Sequence, residues 1–294
     1  MSIQVGNTPL VKLSKIKEQF NLSFDIYAKV EGDNPTGSIK DRAVYQMLLD
    51  DYESKRINKD TVIIEATSGN TGIALAYFGS KFNNKVIIVM PNSMSKQRRD
   101  MIASFGAELV LVQGGMKECN EKALELHKSL QNSIIFGQFE HKSNPKAHYL
   151  FTTPEIINQL PSVKYIFAGI GSGGTISGIA KYIKENNLDI KIIGIEPNES
   201  PLITKGYASR HLIQGIGANF IPKILDLDNV DKVITVKGED SIKMAKLIIE
   251  LENISVGYSS GAALLASINY CKENNIKDDV VVIFPDKGDR YSWQ

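Results

Sequence analysis

Short runs of valine and isoleucine recur along the chain. Each is followed by a stretch in which apolar residues return every three to four positions. The runs at 61–66, 85–90, 108–112, 165–170, 191–196, 232–236 and 280–284 read as strands. They are continuous rather than alternating, which predicts strands covered on both faces, as in parallel sheets. Helical patterns are predicted over about 72–82, 95–106 and 117–130. Strands alternating with helices specify an α/β fold.

Three strand-to-helix junctions share one composition: EATSGNTGIALA (65–76), AGIGSGGTISGIA (168–180) and VGYSSGAALLA (256–266). Each places glycine and hydroxyl residues where a strand ends and a small-residue helix begins. In open parallel sheets, ligands bind beyond these strand ends. The second junction is the richest. Glycine at 171, 173 and 174 lets backbone approach a ligand closely, and Ser172 and Thr175 add hydroxyls at a helix N-terminus. That combination predicts an anion site.

A dinucleotide reading competes for the same residues. Gly169, Gly171 and Gly174 satisfy G-x-G-x-x-G after a strand, and Glu196 stands near the place of a ribose-binding acid. An NAD-dependent oxidoreductase is therefore one alternative. It leaves Lys40 unexplained. The string NPTGSIKDR (34–42) sets this lysine just after a tight turn, at the start of a predicted helix. A cation is disfavoured there, because the first helical turn carries the positive end of the dipole. The same field favours a neutral amine. A lysine whose amine loses its proton readily, paired with a compact phosphate cradle, points to pyridoxal 5'-phosphate held as a Schiff base.

Composition narrows the setting. With 294 residues and 43% apolar content the chain can build two medium domains. A net charge of +1 gives no field to recruit nucleic acid. Cys119 and Cys271 lie far apart, which argues against a disulfide scaffold and fits a reducing compartment. The N-terminus shows no apolar signal segment and no run is long enough to span a membrane, so the expected location is the cytoplasm. His127, His148 and His211 show no metal-ligand spacing, and no metal is expected.

At this point the sequence resembles a known family, the cysteine synthase/cystathionine β-synthase group of fold type II pyridoxal phosphate enzymes. The resemblance rests on GNTPLVKL (6–13), NPTGSIKDR (34–42), EATSGNTGIALA (65–76), MSKQRRDMIASFGAELVLV (94–112), GSGGTISG (171–178), GIGANFIP (215–222) and SSGAA (259–263), in family order over nearly the whole chain. It implies two α/β domains with mostly parallel twisted sheets and an active site in the cleft between them. The smaller, mobile domain would span 34–138, and the larger 1–33 plus 139–294. It implies Lys40 as the Schiff-base lysine and general base, and Asn70 at the cofactor's ring hydroxyl. Gly171, Ser172, Gly173, Gly174 and Thr175 would form the phosphate loop, with Ser259 at the pyridine nitrogen. Thr67, Ser68, Gly69 and Thr71, with Gln138, would grip the substrate carboxylate.

The implied reaction is β-replacement through an aminoacrylate, making L-cysteine from O-acetyl-L-serine and sulfide. Cystathionine or lanthionine synthesis, hydrogen sulfide release from cysteine, and a non-catalytic binding role are the alternatives. The resemblance also implies a homodimer and makes serine acetyltransferase a candidate partner. The chain departs from the family pattern at His141, Lys142, Phe151, Thr153 and Asn219. His141 and Lys142 either reshape the entrance for an anionic sulfur donor such as thiosulfate or are ordinary loop residues.

Overall fold

The computed structural model describes residues 4–293. The chain forms two compact units, Met1–Ile39 with Asn144–Gln294, and Lys40–Ser143. These bounds fall a few residues beyond those drawn from sequence, and hydrogen bonding gives the reason. The turn before Lys40 is tied to the larger unit, where Ile39 N–H donates to Pro285 O (2.8 Å) and Lys287 N–H to Gly37 O (3.2 Å).

Among the described residues the strands, in chain order, are β1 Leu10–Lys12, β2 Ile26–Val30, β3 Val62–Ala66, β4 Val86–Pro91, β5 Glu108–Val112, β6 Ser133–Ile135, β7 Val163–Gly169, β8 Lys191–Pro197, β9 Lys232–Val236 and β10 Asp279–Phe284. The larger unit holds a six-stranded sheet in the order β1-β2-β10-β7-β8-β9, parallel except for the edge pair β1–β2. The smaller unit holds a four-stranded sheet in the order β5-β4-β3-β6, parallel throughout. All seven runs read as strands from sequence are strands. Continuous apolar runs imply two covered faces, and β10, with the sequence DVVVIF, has a separate cluster on each. Val280, Val282 and Phe284 pack with the helix Tyr258–Glu273. Val281 and Ile283 pack with the helix Gly174–Glu185.

Three strands carry no such signal. β1 and β6 have three residues each. β2, with the sequence IYAKV, is interrupted by a lysine that is wholly buried. Lys29 Nζ donates to Thr8 O (2.6 Å), Glu155 Oε2 (2.8 Å) and Gln159 Oε1 (2.8 Å), so its charge is paired and its three protons are placed. No described helix is long and apolar enough to cross a membrane.

In the smaller unit the helix Asn70–Lys81 lies close against β4, because small residues face the strand. A Cβ on Gly79 would overlap the Val86 side chain, and one on Gly72 would sit 2.9 Å from Thr67 Cγ2. Gly79→Ala therefore sets a helix-propensity gain of about 1 kcal/mol against an overpacking cost of roughly 1–3 kcal/mol. Urea unfolding should show a net loss. Removing the overlapping methyls with Val86→Ala should make the double variant more stable than the two single losses predict, by about 1 kcal/mol. Strict additivity would show that the close approach does not set the spacing.

Candidate active site

Lys40 is the first residue of the helix Lys40–Glu53 and is half-buried. The turn before it closes where Gly37 N–H donates to Asn34 O (2.8 Å), with Gly37 in the left-handed region at φ 83°. Buried groups hold that turn. Asn34 donates its amide to Glu31 O (2.9 Å) and Glu31 Oε2 (2.8 Å). Thr8 Oγ1 donates to Glu31 Oε1 (2.7 Å), and Gly6 N–H to Asn34 Oδ1 (2.9 Å). The backbone of residues 34–39, leading into Lys40, is thus fixed within the larger unit.

In the smaller unit, β3 ends at Ala66 and the helix begins at Asn70, so Thr67, Ser68 and Gly69 make the turn. Thr67 and Thr71 are buried, and Ser68, Gly69 and Asn70 are half-buried. Thr71 Oγ1 donates to Gln138 Oε1 (2.6 Å), joining the turn to a segment 67 residues away in sequence. Gln138 is itself held from below by Glu65. Gly137 N–H donates to Glu65 Oε2 (2.8 Å), Gln138 N–H donates to Glu65 Oε1 (3.4 Å), and the Gln138 side-chain amide bonds to the same carboxylate. Arg98 Nη1, from the helix Lys96–Ser104, donates to Ser68 O (2.8 Å) and holds the turn from the other side. Hydroxyl, amide and backbone N–H groups together suit a carboxylate ligand.

In the larger unit, Gly171–Thr175 connects β7 to the helix Gly174–Glu185. A Cβ on Gly171 would overlap Gly215 O, and one on Gly174 would overlap the Asn144 side chain. Gly173 caps the helix at φ 84°. Ser172 Oγ takes Gly174 N–H (3.4 Å) and the Asn144 amide (3.2 Å). Among the described residues no protein acceptor takes the backbone N–H groups of Gly171, Ser172 or Gly173. With the helix N-terminus these form a donor set that fits the phosphate ester of pyridoxal phosphate. Thr175 Oγ1 is placed by His148 Nε2 (3.3 Å), whose other ring nitrogen bonds Thr152 Oγ1 (3.0 Å). In the same unit Ser259 is buried in the first turn of the helix Tyr258–Glu273, and the neighbouring Ser260 Oγ is buried without a hydrogen-bond partner. Gly257, the cap of that helix, has no room for a Cβ against Asp286 and Tyr291.

The remaining sequence candidates find other uses. Glu196 is buried. Its carboxylate accepts Ile203 N–H (2.9 Å), Thr204 N–H (2.9 Å) and Thr204 Oγ1–H (2.5 Å), so it caps the short helix Leu202–Lys205 rather than meeting a ribose. His141 Nδ1 accepts Ser143 N–H (3.2 Å), and Nε2–H donates to Asp51 Oδ1 (3.0 Å). Its side chain is 12% exposed, and this pairing accounts for it as part of the fold. Lys142 is exposed, and Phe151 is 49% exposed. Sequence reading did not find Glu65, Arg98, Asn144 or the contact of His148 with Thr175. Glu65 did leave a signal, a lone charge inside a valine–isoleucine strand.

The chain belongs to the pyridoxal-phosphate dependent enzyme family, whose model matches residues 1–286. Among relatives it is 45% identical to cysteine synthase B of Campylobacter jejuni, over 98% of this chain and 94% of that one. Among solved structures it resembles a hydrogen sulfide-producing enzyme from Fusobacterium nucleatum, with a TM-score of 0.93 and 41% identity over 98% of this chain and 97% of that one. It also resembles cysteine synthase of Entamoeba histolytica, with a TM-score of 0.93 and 36% identity over 98% and 87%. The architecture is that of fold type II, and the cofactor of the family is pyridoxal phosphate.

Burial raises the Glu65 carboxyl from its ordinary 4.5 to about 7, and the N–H groups of Gly137 and Gln138 oppose that rise. The folded chain then keeps a proton that the unfolded chain releases. Stability from this group is full below about pH 4.5, falls as pH rises to about 7, and levels off above. Relative to Glu65→Gln, the wild type should lose up to about 3 kcal/mol of unfolding free energy between pH 4 and pH 8. Parallel stability curves for the two proteins would contradict the assignment.

Proposed function

We propose that the chain makes L-cysteine from O-acetyl-L-serine and sulfide by pyridoxal phosphate-dependent β-replacement. One observation carries the reading: the hydrogen bond from Thr71 Oγ1 to Gln138 Oε1, which draws two distant segments into one neutral polar turn beyond the end of β3. The cysteine synthase B of Campylobacter jejuni, alike over nearly the whole chain, supports it.

When bound, the cofactor supplies an aldehyde that takes the amino group and a ring that withdraws electrons from the α-carbon. The chain's residues do the rest. Lys40 would hold the cofactor's aldehyde, and its amine, when free, would remove the α-proton as general base. Acetate leaves from the β-carbon, sulfide adds there, and Lys40 returns the proton. Thr67, Ser68, Gly69 and Thr71, with Gln138, hold the substrate carboxylate. Asn70 would bond the ring hydroxyl, and Gly171 to Thr175 would bind the phosphate with neutral donors. Ser259 would hold the ring nitrogen; a hydroxyl there would not impose a proton as an acid would, which would favour rapid elimination over transamination. Motion of the 67–71 turn toward substrate excludes water. The protein works in the cytoplasm as a homodimer, with serine acetyltransferase as a candidate partner.

A second reading within the same chemistry is hydrogen sulfide release from cysteine, favoured by the likeness to the Fusobacterium nucleatum enzyme. Product analysis separates the two, with O-acetylserine plus sulfide in one arm and cysteine alone in the other. The first reading predicts cysteine formation at least about tenfold faster than sulfide release, a difference of about 1.4 kcal/mol in barrier. The reverse order would install the second. Lys40→Ala should abolish turnover in both arms. Gly171→Ala, which pushes backbone against Gly215 O, should lower cofactor content. Full turnover by Lys40→Ala would refute the mechanism.

A further inference from the structure

The turn after β3 carries a chain of hydrogen bonds that all run one way. Its first link is the guanidinium of Arg98, whose Nη1 donates to Ser68 O (2.8 Å). Ser68 C=O and Gly69 N–H are the two ends of one peptide unit. Gly69 N–H in turn donates to Thr67 Oγ1 (3.3 Å), closing a hydroxyl turn. Thr67 is buried, and among the described residues no protein acceptor takes its hydroxyl proton. All four residues belong to the smaller unit.

Local packing fixes both ends of the chain. Thr67 N–H donates to Val89 O (3.0 Å), and its Cγ2 lies 2.9 Å from where a Cβ on Gly72 would stand. The methyl is therefore seated over the helix Asn70–Lys81, and a β-branched side chain with its methyl placed has its hydroxyl placed too. At the other end Arg98 lies in the first turn of the helix Lys96–Ser104, where its own N–H donates to Ser95 Oγ (3.4 Å). The same Nη1 also meets Met94 Sδ (3.8 Å), which steadies the guanidinium.

The direction of the chain decides what it can bind. A charged donor polarises the carbonyl that it bonds, and the N–H of that peptide becomes a stronger donor. The hydroxyl that accepts it becomes a stronger donor in its turn. This follows from the bond to Ser68 O itself, whatever else the guanidinium meets. The chain ends on a proton, so only an acceptor can complete it. A carboxylate accepts and cannot donate, and is the ligand group that it suits.

We infer that Arg98 is a positioning residue for recognition of the substrate carboxylate: through the Ser68–Gly69 peptide it orients the Thr67 hydroxyl and strengthens it as a donor. The inference rests on the proposed function and deepens it. Arg98 acts through Ser68 and Thr67, so its loss should weaken binding of the carboxylate while leaving the sulfur nucleophile alone.

The test uses the holoenzyme and its Arg98→Met and Arg98→Lys variants. Two ligands are titrated by the change they make in the visible cofactor band. L-Alanine has the amine and carboxylate but no β-leaving group; in L-alaninamide a neutral amide replaces the carboxylate. Arg98→Met should weaken L-alanine binding by about tenfold and leave L-alaninamide within about twofold of wild type. The preference for the carboxylate then falls, and Arg98→Lys, which keeps the charge and a donor, should restore most of it. The O-acetyl-L-serine KM should rise with the L-alanine dissociation constant, while the sulfide KM and the cofactor content stay at wild-type values. A merely structural arginine would weaken both ligands alike, and that result overturns the inference. So does L-alanine affinity in Arg98→Met within about twofold of wild type, or a preference that Arg98→Lys does not restore. If Arg98→Met does not fold, Arg98→Gln, which keeps a donor without the charge, is judged by the same criterion. A wild-type protein with neither cofactor band nor turnover overturns the proposed function and this inference with it. An active wild type beside an indifferent Arg98→Met overturns this inference alone.

Discussion

Close approach of backbone at the ends of parallel strands is the constraint on which this protein depends. Where β7 runs into its helix, Gly171 and Gly174 sit so near Gly215 O and Asn144 that no side chain fits. The same holds at Gly257 against Asp286 and Tyr291, and at Gly261 against Ser241 O. In the smaller unit Gly72 and Gly79 bring their helix down on β4. The approaches at Gly171 and Gly174 leave a helix N-terminus and a set of N–H groups beyond the end of β7, whereas Gly257 follows the helix Gly238–Glu252 directly, so the strand expected from sequence before the 256–266 segment does not form. A parallel sheet buried on both faces offers its polar backbone to ligands nowhere else. Both units use this device, one with the 67–71 turn and the other with the 171–175 turn.

These sites work with dipoles and hydroxyls rather than formal charge. Ser172 and Thr175 in the larger unit, and Thr67, Thr71 and Gln138 in the smaller, are neutral, and within the smaller unit Glu65, which accepts the Gly137 and Gln138 N–H groups, is raised toward neutrality by burial. Under the proposed function, a neutral anion site would leave the electronic work to the cofactor and the proton transfers to Lys40. That division would account for a lysine standing where a helix start disfavours ammonium. It also explains why its approach is braced by the Thr8–Glu31–Asn34 network, since a base that must move between two attachments needs a fixed backbone behind it.

Much of this was legible in the sequence. The seven long strands announced themselves because strands covered on both faces must be apolar at every position. The turns at 67–71 and 171–175 announced themselves because glycine beside hydroxyl has few other uses. What escaped notice was set by tertiary pairing. β2 hides behind Lys29, whose charge is cancelled by Glu155 from a segment 126 residues away. β6 is three residues long and borrows its strand character from β3. Glu196 was a rival candidate for a ribose acid, and its helix-capping bonds give it another use; of the two readings of His141, an entrance residue or an ordinary loop residue, its pairing with Asp51 favours the second. Glu65 and Arg98 were overlooked because their partners, Gln138 and the Ser68 carbonyl, are near only in the folded chain.

The account stands on Lys40 as the residue that carries the cofactor. Borohydride reduction of the purified protein, followed by peptide mapping, asks this directly, because reduction turns a reversible lysine–aldehyde linkage into a stable amine. The account predicts loss of the yellow colour and a phosphopyridoxyl mass addition on the peptide containing Lys40 alone. An adduct on another lysine, or no adduct in a protein that remains active, would contradict it.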